Sequence, residues 1–311
     1  MWPWLEKIAS ACWDRVRRYA PTSTRRDEDG GSGSGADADD LLLWSRDLGR
    51  HAAGDFSFAV VQANEVLEDH SQVETGAAAT FVGVYDGHGG AEASRFISNH
   101  LSAHLVRLAQ ESGAVSENVV RNAFSATEEG FLSLVRRTHL IKPSIAAIGS
   151  CCLVGVIWRK TLYLANLGDS RAVVGCLVGS NKIFAEQLTR DHNASIEEVR
   201  QELKSLHPDD SQIVVLKNGV WRIKGIIQGI ARRLIKAALK EAARKREMRY
   251  NDITKLEKGV RRFFHDDITV VVVFIDHGLL QEGNASAPEL SVRGFVESRG
   301  SSSFSGLNSI S

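Results

Sequence analysis

With 311 residues, 43% hydrophobic and 24% charged, the chain is long enough for one large domain or two small ones and can bury a sizeable core. Its 38 basic and 38 acidic residues cancel, which excludes a global field favouring nucleic acid or an anionic membrane and leaves only local patches. Four cysteines with no Cys-x-x-Cys pair exclude a disulfide framework, do not suggest zinc, and point to a reducing, intracellular setting, cytoplasm or nucleus. No run of about 18 apolar residues offers a transmembrane helix.

Residues 1–20 read as a short amphipathic helix. Trp4, Ile8, Cys12 and Val16 share one face, and Lys7, Arg15, Arg17 and Arg18 supply positive charge. Such a helix either docks on its own domain or frays, or it binds a membrane surface, such as the plasma membrane, or a regulatory partner reversibly. Glu6 and Asp14 interrupt it, so it does not fit a signal peptide. Residues 21–40 turn to Ser, Gly, Arg and Asp and read as a flexible linker.

The folded part starts near Leu41. Residues 56–62 and 80–85 read as strands, with the polar pair Glu68-Asp69 between them. Helices are expected over 91–108 and 117–137 from their apolar spacing. After Pro143 the pattern returns to strands. Residues 149–158 and 161–166 are separated only by Arg159-Lys160, which predicts a hairpin, and Cys151 and Cys152 should point to opposite faces. The turn Gly168-Asp169-Ser170-Arg171 precedes Ala172-Val173-Val174. Ser195-Ile196-Glu197-Glu198 is a capping box that opens another helix. Short strands are expected over 212–216 and 220–227, then a basic helix over 229–250. The last strand, Ile268–Ile275, is unbroken apolar sequence and predicts burial on both faces. Residues 278–311 are Ser-rich and read as a disordered tail.

Acidic groups stand at strand ends or adjoining turns in four places: Glu68-Asp69, Asp86, Asp169 and Asp266-Asp267. Hard divalent cations such as Mg²⁺ and Mn²⁺ take oxygen ligands, keep several waters and need few carboxylates. Two such ions about 3.5–4 Å apart share a bridging carboxylate and activate a water for in-line attack on a phosphoryl group. Asp86 is the candidate bridge, because the glycines of Asp86-Gly87-His88-Gly89-Gly90 also let the Gly87 carbonyl face a metal. His88 is then placed to protonate a leaving alkoxide. Taken singly, Asp-Gly is ordinary turn chemistry, Asp169 fits an Asx turn, and the other acids fit a strand start and a solvated loop. Their shared order and type favour a common site.

Three segments carry a family resemblance: residues 81–90, Leu164-Ala165-Asn166-Leu167-Gly168-Asp169-Ser170-Arg171-Ala172, and His265-Asp266-Asp267-Ile268-Thr269-Val270. They resemble the type 2C metal-dependent serine/threonine phosphatases of plants, over about Leu41 to Asp276. The amphipathic start is similar to the D-type subgroup. The resemblance implies an α+β fold, a β-sandwich of two mostly antiparallel sheets flanked by helices, with two Mg²⁺ or Mn²⁺ ions at its edge and phosphoproteins as substrates. It implies a phosphatase-like domain over 41–277. By position, Asp86 corresponds to the bridging ligand, the Gly87 carbonyl to a ligand of one ion and Asp266 to the C-terminal ligand. Glu68 and Asp69 correspond to a pair that holds metal-bound water, Asp169 to a weaker third-metal position and His88 to the general acid. Asp267 stands where many relatives have asparagine and is not assigned to the metal.

The chain departs from that pattern twice. Asn64 stands where many relatives carry a phosphate-binding arginine, and after Gln228 the expected Ser-Arg-Ser-Ile-Gly-Asp segment and a second Asp-Gly strand end are missing. The join reads as an internal deletion that removes one metal carboxylate and exposes sheet edges, so the sandwich is expected to be incomplete. Two functions stay open: metal-dependent hydrolysis of phosphoserine and phosphothreonine, or a catalytically deficient relative that binds without turnover. No nucleic-acid partner is expected. The basic residues of 229–250 fit a solvated helix face.

Overall fold

The structure is a computed structural model that describes residues 42–178, 182–206, 255–276, 278–279, 288–294 and 296–299, with 208, 211, 213–217, 220–223, 226–227, 304 and 307. The expected helix over 1–20, the linker over 21–40 and the basic helix over 229–250 lie outside the described residues.

In chain order the strands and helices are β1 (Leu43–His51), β2 (Gly54–Val61), β3 (His70–Thr75), β4 (Ala79–Tyr85), β5 (Gly87–His88), α1 (Glu92–Ser112) and α2 (Glu117–Thr138). Then come β6 (Gly149–Ser150), β7 (Cys152–Trp158), β8 (Thr161–Leu167), β9 (Val173–Val178), β10 (Lys182–Gln187) and α3 (Glu197–Leu206). They are followed by β11 (Val214–Lys217), β12 (Val220–Ile223), β13 (Ile226–Ile227), β14 (Ile268–Ile275), β15 (Leu290–Arg293) and β16 (Val296–Arg299).

Two antiparallel sheets face each other. One has the order β16-β15-β3-β4-β7-β8, the other β1-β2-β14. Phe56, Phe58 and Val60 of β2 pack on Val73 of β3 and on Leu290 and Val292 of β15, so alternate residues of each strand fill the space between the sheets. The opposite face of the larger sheet presents Phe81, Tyr85, Cys152, Val154 and Val156 to Leu101 and Leu105 of α1 and to Val119, Val120 and Ala123 of α2. The expected sandwich with flanking helices is therefore present.

Local signals set the element ends. Ser116 accepts from the Val119 N–H at the start of α2, and Gly113 closes α1 in the left-handed region, φ 74°. Arg159 and Lys160 both take positive φ, 45° and 68°, the geometry of a two-residue hairpin turn, as their position predicts.

The structure corrects two expectations. Residues 278–311 do not form a disordered tail throughout. β15 pairs with β3, and Phe304 and Leu307 are fully buried in the core, with the Phe304 ring 5.2 Å from that of Phe81. Apolar residues at alternating positions outweighed the Ser-rich composition. β14, in turn, is not buried on both faces: Ile268 is buried, residues 269–274 are half-buried and Ile275 is exposed. It is an outer strand, paired with β2 on one side and with no strand among the described residues on the other. The opposite edge, β1, carries Arg46 and Arg50 and a register shift between Arg46 and Gly49; β14 has neither charge nor bulge.

Candidate metal centre

The centre is built at one end of the sandwich, where β4 stops at Asp86. The next two residues form β5 against β6, and the Cys151 N–H donates to the Asp86 carbonyl at 2.8 Å, which fixes the backbone on both sides of the carboxylate. Gly89 and Gly90 have φ of 78° and 146°, which L side chains rarely adopt, and this reverses the chain into α1. The Gly90 N–H is thereby brought to the Glu68 carboxylate. A Cβ on Gly87 would strike the Glu68 carbonyl and the Ser94 hydroxyl, so the bare backbone there lets the segment before β3 pass close beside Asp86.

Asp267 holds that segment. Its Oδ1 accepts from the Ala63 and Asn64 N–H groups at 2.7 and 2.9 Å, and its Oδ2 accepts from the Glu68 N–H at 2.9 Å. One buried carboxylate thus ties the start of β14 to the 63–68 loop, with charge-assisted bonds replacing the water each N–H would lose. Asp266 points elsewhere. Its Oδ1 accepts from Asn64 Nδ2 and from the Asp267 N–H, both at 2.9 Å, and its Oδ2 lies 3.0 Å from Arg262 Nη1. Asp69 is buried and accepts from the Thr269 hydroxyl at 3.0 Å.

These acids crowd one another. Burial first, then Asp266, Asp169, Asp267 and Glu68, push the Asp86 carboxyl up to about 7. Burial, followed by Asp86 and Asp267, raises Asp69 well above the usual carboxylate range. Burial and then Asp266 and Asp267 also raise Glu68, against the opposing pull of Arg262 and the Gly90 N–H. Carboxylates crowded together in this way, with the charged forms of Asp86, Asp69 and Glu68 disfavoured, are matched by divalent cations, and the oxygen donors suit hard ions. The residues present fit Mg²⁺ or Mn²⁺.

A different set lies on the other side of Asp86. The ligand atoms of Asp86, Cys151 and Asp169 all fall within 4.8 Å of one another. Asp169 is buried at the turn after β8; its Oδ2 accepts from Asn193 Nδ2 at 2.7 Å and its Oδ1 from Cys151 Sγ at 3.4 Å. Burial, then Asp86 and Asp169, push the Cys151 thiol far up. Cys152 faces the helix-covered core, so the two neighbours do point to opposite faces. His88, paired with Gly149, is half-buried; burial lowers its pKa and nearby Asp169 raises it.

Of the residues expected from the sequence, Glu68, Asp69, Asp86, Asp169 and Asp266 share one electrostatic neighbourhood, Gly87 adjoins them in the chain, and His88 lies beside Asp169. Asp267 serves the loop backbone. Sequence reasoning did not single out Thr269, Ser94, Cys151, Asn193 or Arg262 for the site. Thr269 was findable as a polar residue on an otherwise apolar strand, two positions after Asp267.

A family model described as "Protein phosphatase 2C" matches residues 48–243. The chain is 70% identical over 390 aligned positions to "Probable protein phosphatase 2C 43" of Oryza sativa subsp. japonica, and 60% identical over 390 positions to "Probable protein phosphatase 2C 25" of the same organism, with all of both chains covered in each case. It is 51% identical over 391 positions to "Probable protein phosphatase 2C 68" of Arabidopsis thaliana, covering 98% of this chain and 99% of that one. Set against 311 residues, 390 aligned positions leave 79 without a counterpart here. The chain belongs to the protein phosphatase 2C family, and by that resemblance is a plant serine/threonine protein phosphatase.

Proposed function

We propose that the chain hydrolyses phosphoserine and phosphothreonine in proteins with two Mg²⁺ or Mn²⁺ ions held around Asp86. The observation that carries this reading is the Asp86 carboxyl itself, half-buried and pushed up to about 7 among acids drawn from three distant segments. Asp86, the Gly87 carbonyl and Asp266 would hold the two ions, with Asp169 at a further position. Bound divalent cations supply Lewis-acid charge and an ionised water. Glu68 and Asp69 would orient a water there. The Glu68 carboxylate is fixed by the Gly90 N–H and Asp69 by Thr269, so neither must reorganise as charge develops. His88 supplies the proton to the departing serine or threonine oxygen. Asp169 favours the charged imidazole that this requires, and burial opposes it.

The 79 missing positions favour a second reading, a phosphatase-like chain that binds phosphoproteins without turnover because one metal carboxylate is gone. One assay separates them: the full chain with a phosphopeptide, with and without millimolar Mn²⁺. Metal-dependent phosphate release that disappears in Asp86→Asn supports hydrolysis; no release at any metal concentration leaves the binding role. Residues 1–20 are assigned a membrane-surface or regulatory contact. Equal co-sedimentation with anionic liposomes of the chain with and without them would remove the membrane assignment.

A further inference from the structure

The 3₁₀ turn Arg261–Phe263, just before β14, carries neighbouring arginines with opposite fates. Arg261 is fully buried, with Nη2 donating to the Leu256 carbonyl at 3.3 Å. The His265 and Phe264 N–H groups donate to the Arg261 carbonyl at 3.1 and 2.9 Å, and the Gly259 N–H donates to the Ala63 carbonyl at 2.7 Å. The backbone under Arg262 is therefore fixed to the metal-centre loop. Its side chain is half exposed and reaches Asp266, with Nη1 3.0 Å from Oδ2.

This ion pair engages a carboxylate of the cluster. Arg107, Lys142, Arg171 and Arg293 pair with Glu111, Glu92, Asp191 and Glu74. Asp266 does not depend on Arg262 for its orientation, because Asn64 Nδ2 and the Asp267 N–H hold its other oxygen. A guanidinium has five N–H donors in a planar fork that matches phosphate, and the contact with Asp266 is made through one nitrogen. Asn64, the other side chain on Asp266, brings no charge.

We propose that Arg262 is a phosphate-binding residue: it rests on Asp266 in the metal-free chain and turns to the phosphoryl oxygens of the substrate once cations satisfy the carboxylates. The inference rests on the phosphatase reading of the site. Cations binding Asp266 weaken its hold on the guanidinium, and the dianionic phosphate then becomes the stronger partner. A rigid turn beneath an exposed arm suits this exchange.

The test is binding of inorganic phosphate to the Mn²⁺-loaded full chain by titration calorimetry, so that it does not depend on turnover. Arg262→Ala should weaken phosphate by about tenfold or more while Mn²⁺ affinity is kept or rises. Arg262→Lys, which keeps the charge but not the fork, should fall between the two. Should phosphopeptide be hydrolysed, Arg262→Ala should raise KM more than it lowers kcat. Phosphate binding equal in wild type and both variants overturns the proposal, as does a wild-type chain that binds no phosphate, or a loss of Mn²⁺ binding in Arg262→Ala that Arg262→Lys does not restore. Phosphate binding without hydrolysis in the wild type keeps Arg262 in this role and sinks only the catalytic reading.

Discussion

Asp86 faces two different neighbourhoods. On one side lie Glu68, Asp69 and Asp266, acids from segments about 200 residues apart that are brought together by backbone N–H groups, Thr269 and Asn64. On the other lie Asp169 and Cys151, with Asn193 holding the carboxylate and sulfur as one of the ligand atoms. The first side offers only hard oxygen and depends on long-range closure of the sandwich. The second is largely local to the β6 to β8 region and mixes hard and soft donors. Both sides form without the 79 positions that relatives have, because the contacts that hold each acid come from residues this chain retains. Assembly of the carboxylates and completeness of the metal centre are therefore separate properties.

The largest effect is expected on removing the residue both sides share. Asp86→Asn should lower metal-dependent phosphate release on the order of 10³-fold, read as initial rates with Mn²⁺. Next in size is the clamp of the first side alone. Asp267→Ala strands three N–H groups and should cost about 3 kcal/mol or more in urea unfolding, with Asp267→Asn milder. Equal stability of Asp267→Ala and wild type would show that the 63–68 loop closes without it.

Burial and neighbouring acids raise the Asp86 pKa above its unfolded value, so the stability this group contributes to the metal-free chain is fully present below about pH 4. That contribution is lost as pH rises through about 7. Mn²⁺ affinity should move the opposite way, rising up to about pH 7 and levelling above it; calorimetric Mn²⁺ titration across that range checks the affinity, and urea unfolding of the metal-free chain checks the stability. A flat affinity profile would remove Asp86 from the ligand set. Smaller again, Thr269→Val should lower kcat by about tenfold through loss of the bond to Asp69, with thermal stability nearly kept. The smallest effect belongs to the second side: Cys151→Ser should leave Mn²⁺-dependent activity within about threefold while reducing inhibition by Cd²⁺, a thiophilic ion.

How much of this was legible in the sequence depends on where the physics is local. Asp86 and its glycines stood out because positive φ at Gly89 and Gly90 demands that residue type. The helices and the Arg159-Lys160 hairpin were readable from spacing and turn length. β3 was not, since His70-Ser71-Gln72-Val73-Glu74-Thr75 looks like a polar loop. Its polar residues are buried by partners that no local window contains: Arg293 and Ser291 donate to Glu74, and Tyr85 to Gln72. Those same bonds explain the misread C-terminal segment, because β15 finds its place only once β3 exists. Arg262 was hidden for a similar reason. In the sequence it is one of two adjacent arginines, and only packing decides which is buried and which reaches Asp266.

The side of β14 that no described strand covers bears on how the protein can be handled. The chain carries no net formal charge and has a pI near 7.2, so at neutral pH little electrostatic repulsion keeps copies apart, while an uncharged strand edge has no strand beside it among the described residues. That is also the pH at which Asp86 gives up its proton and becomes fit to take a cation. Loading the metal and keeping the protein dispersed therefore pull towards different buffers, and protein concentration becomes a variable of every activity measurement near neutrality.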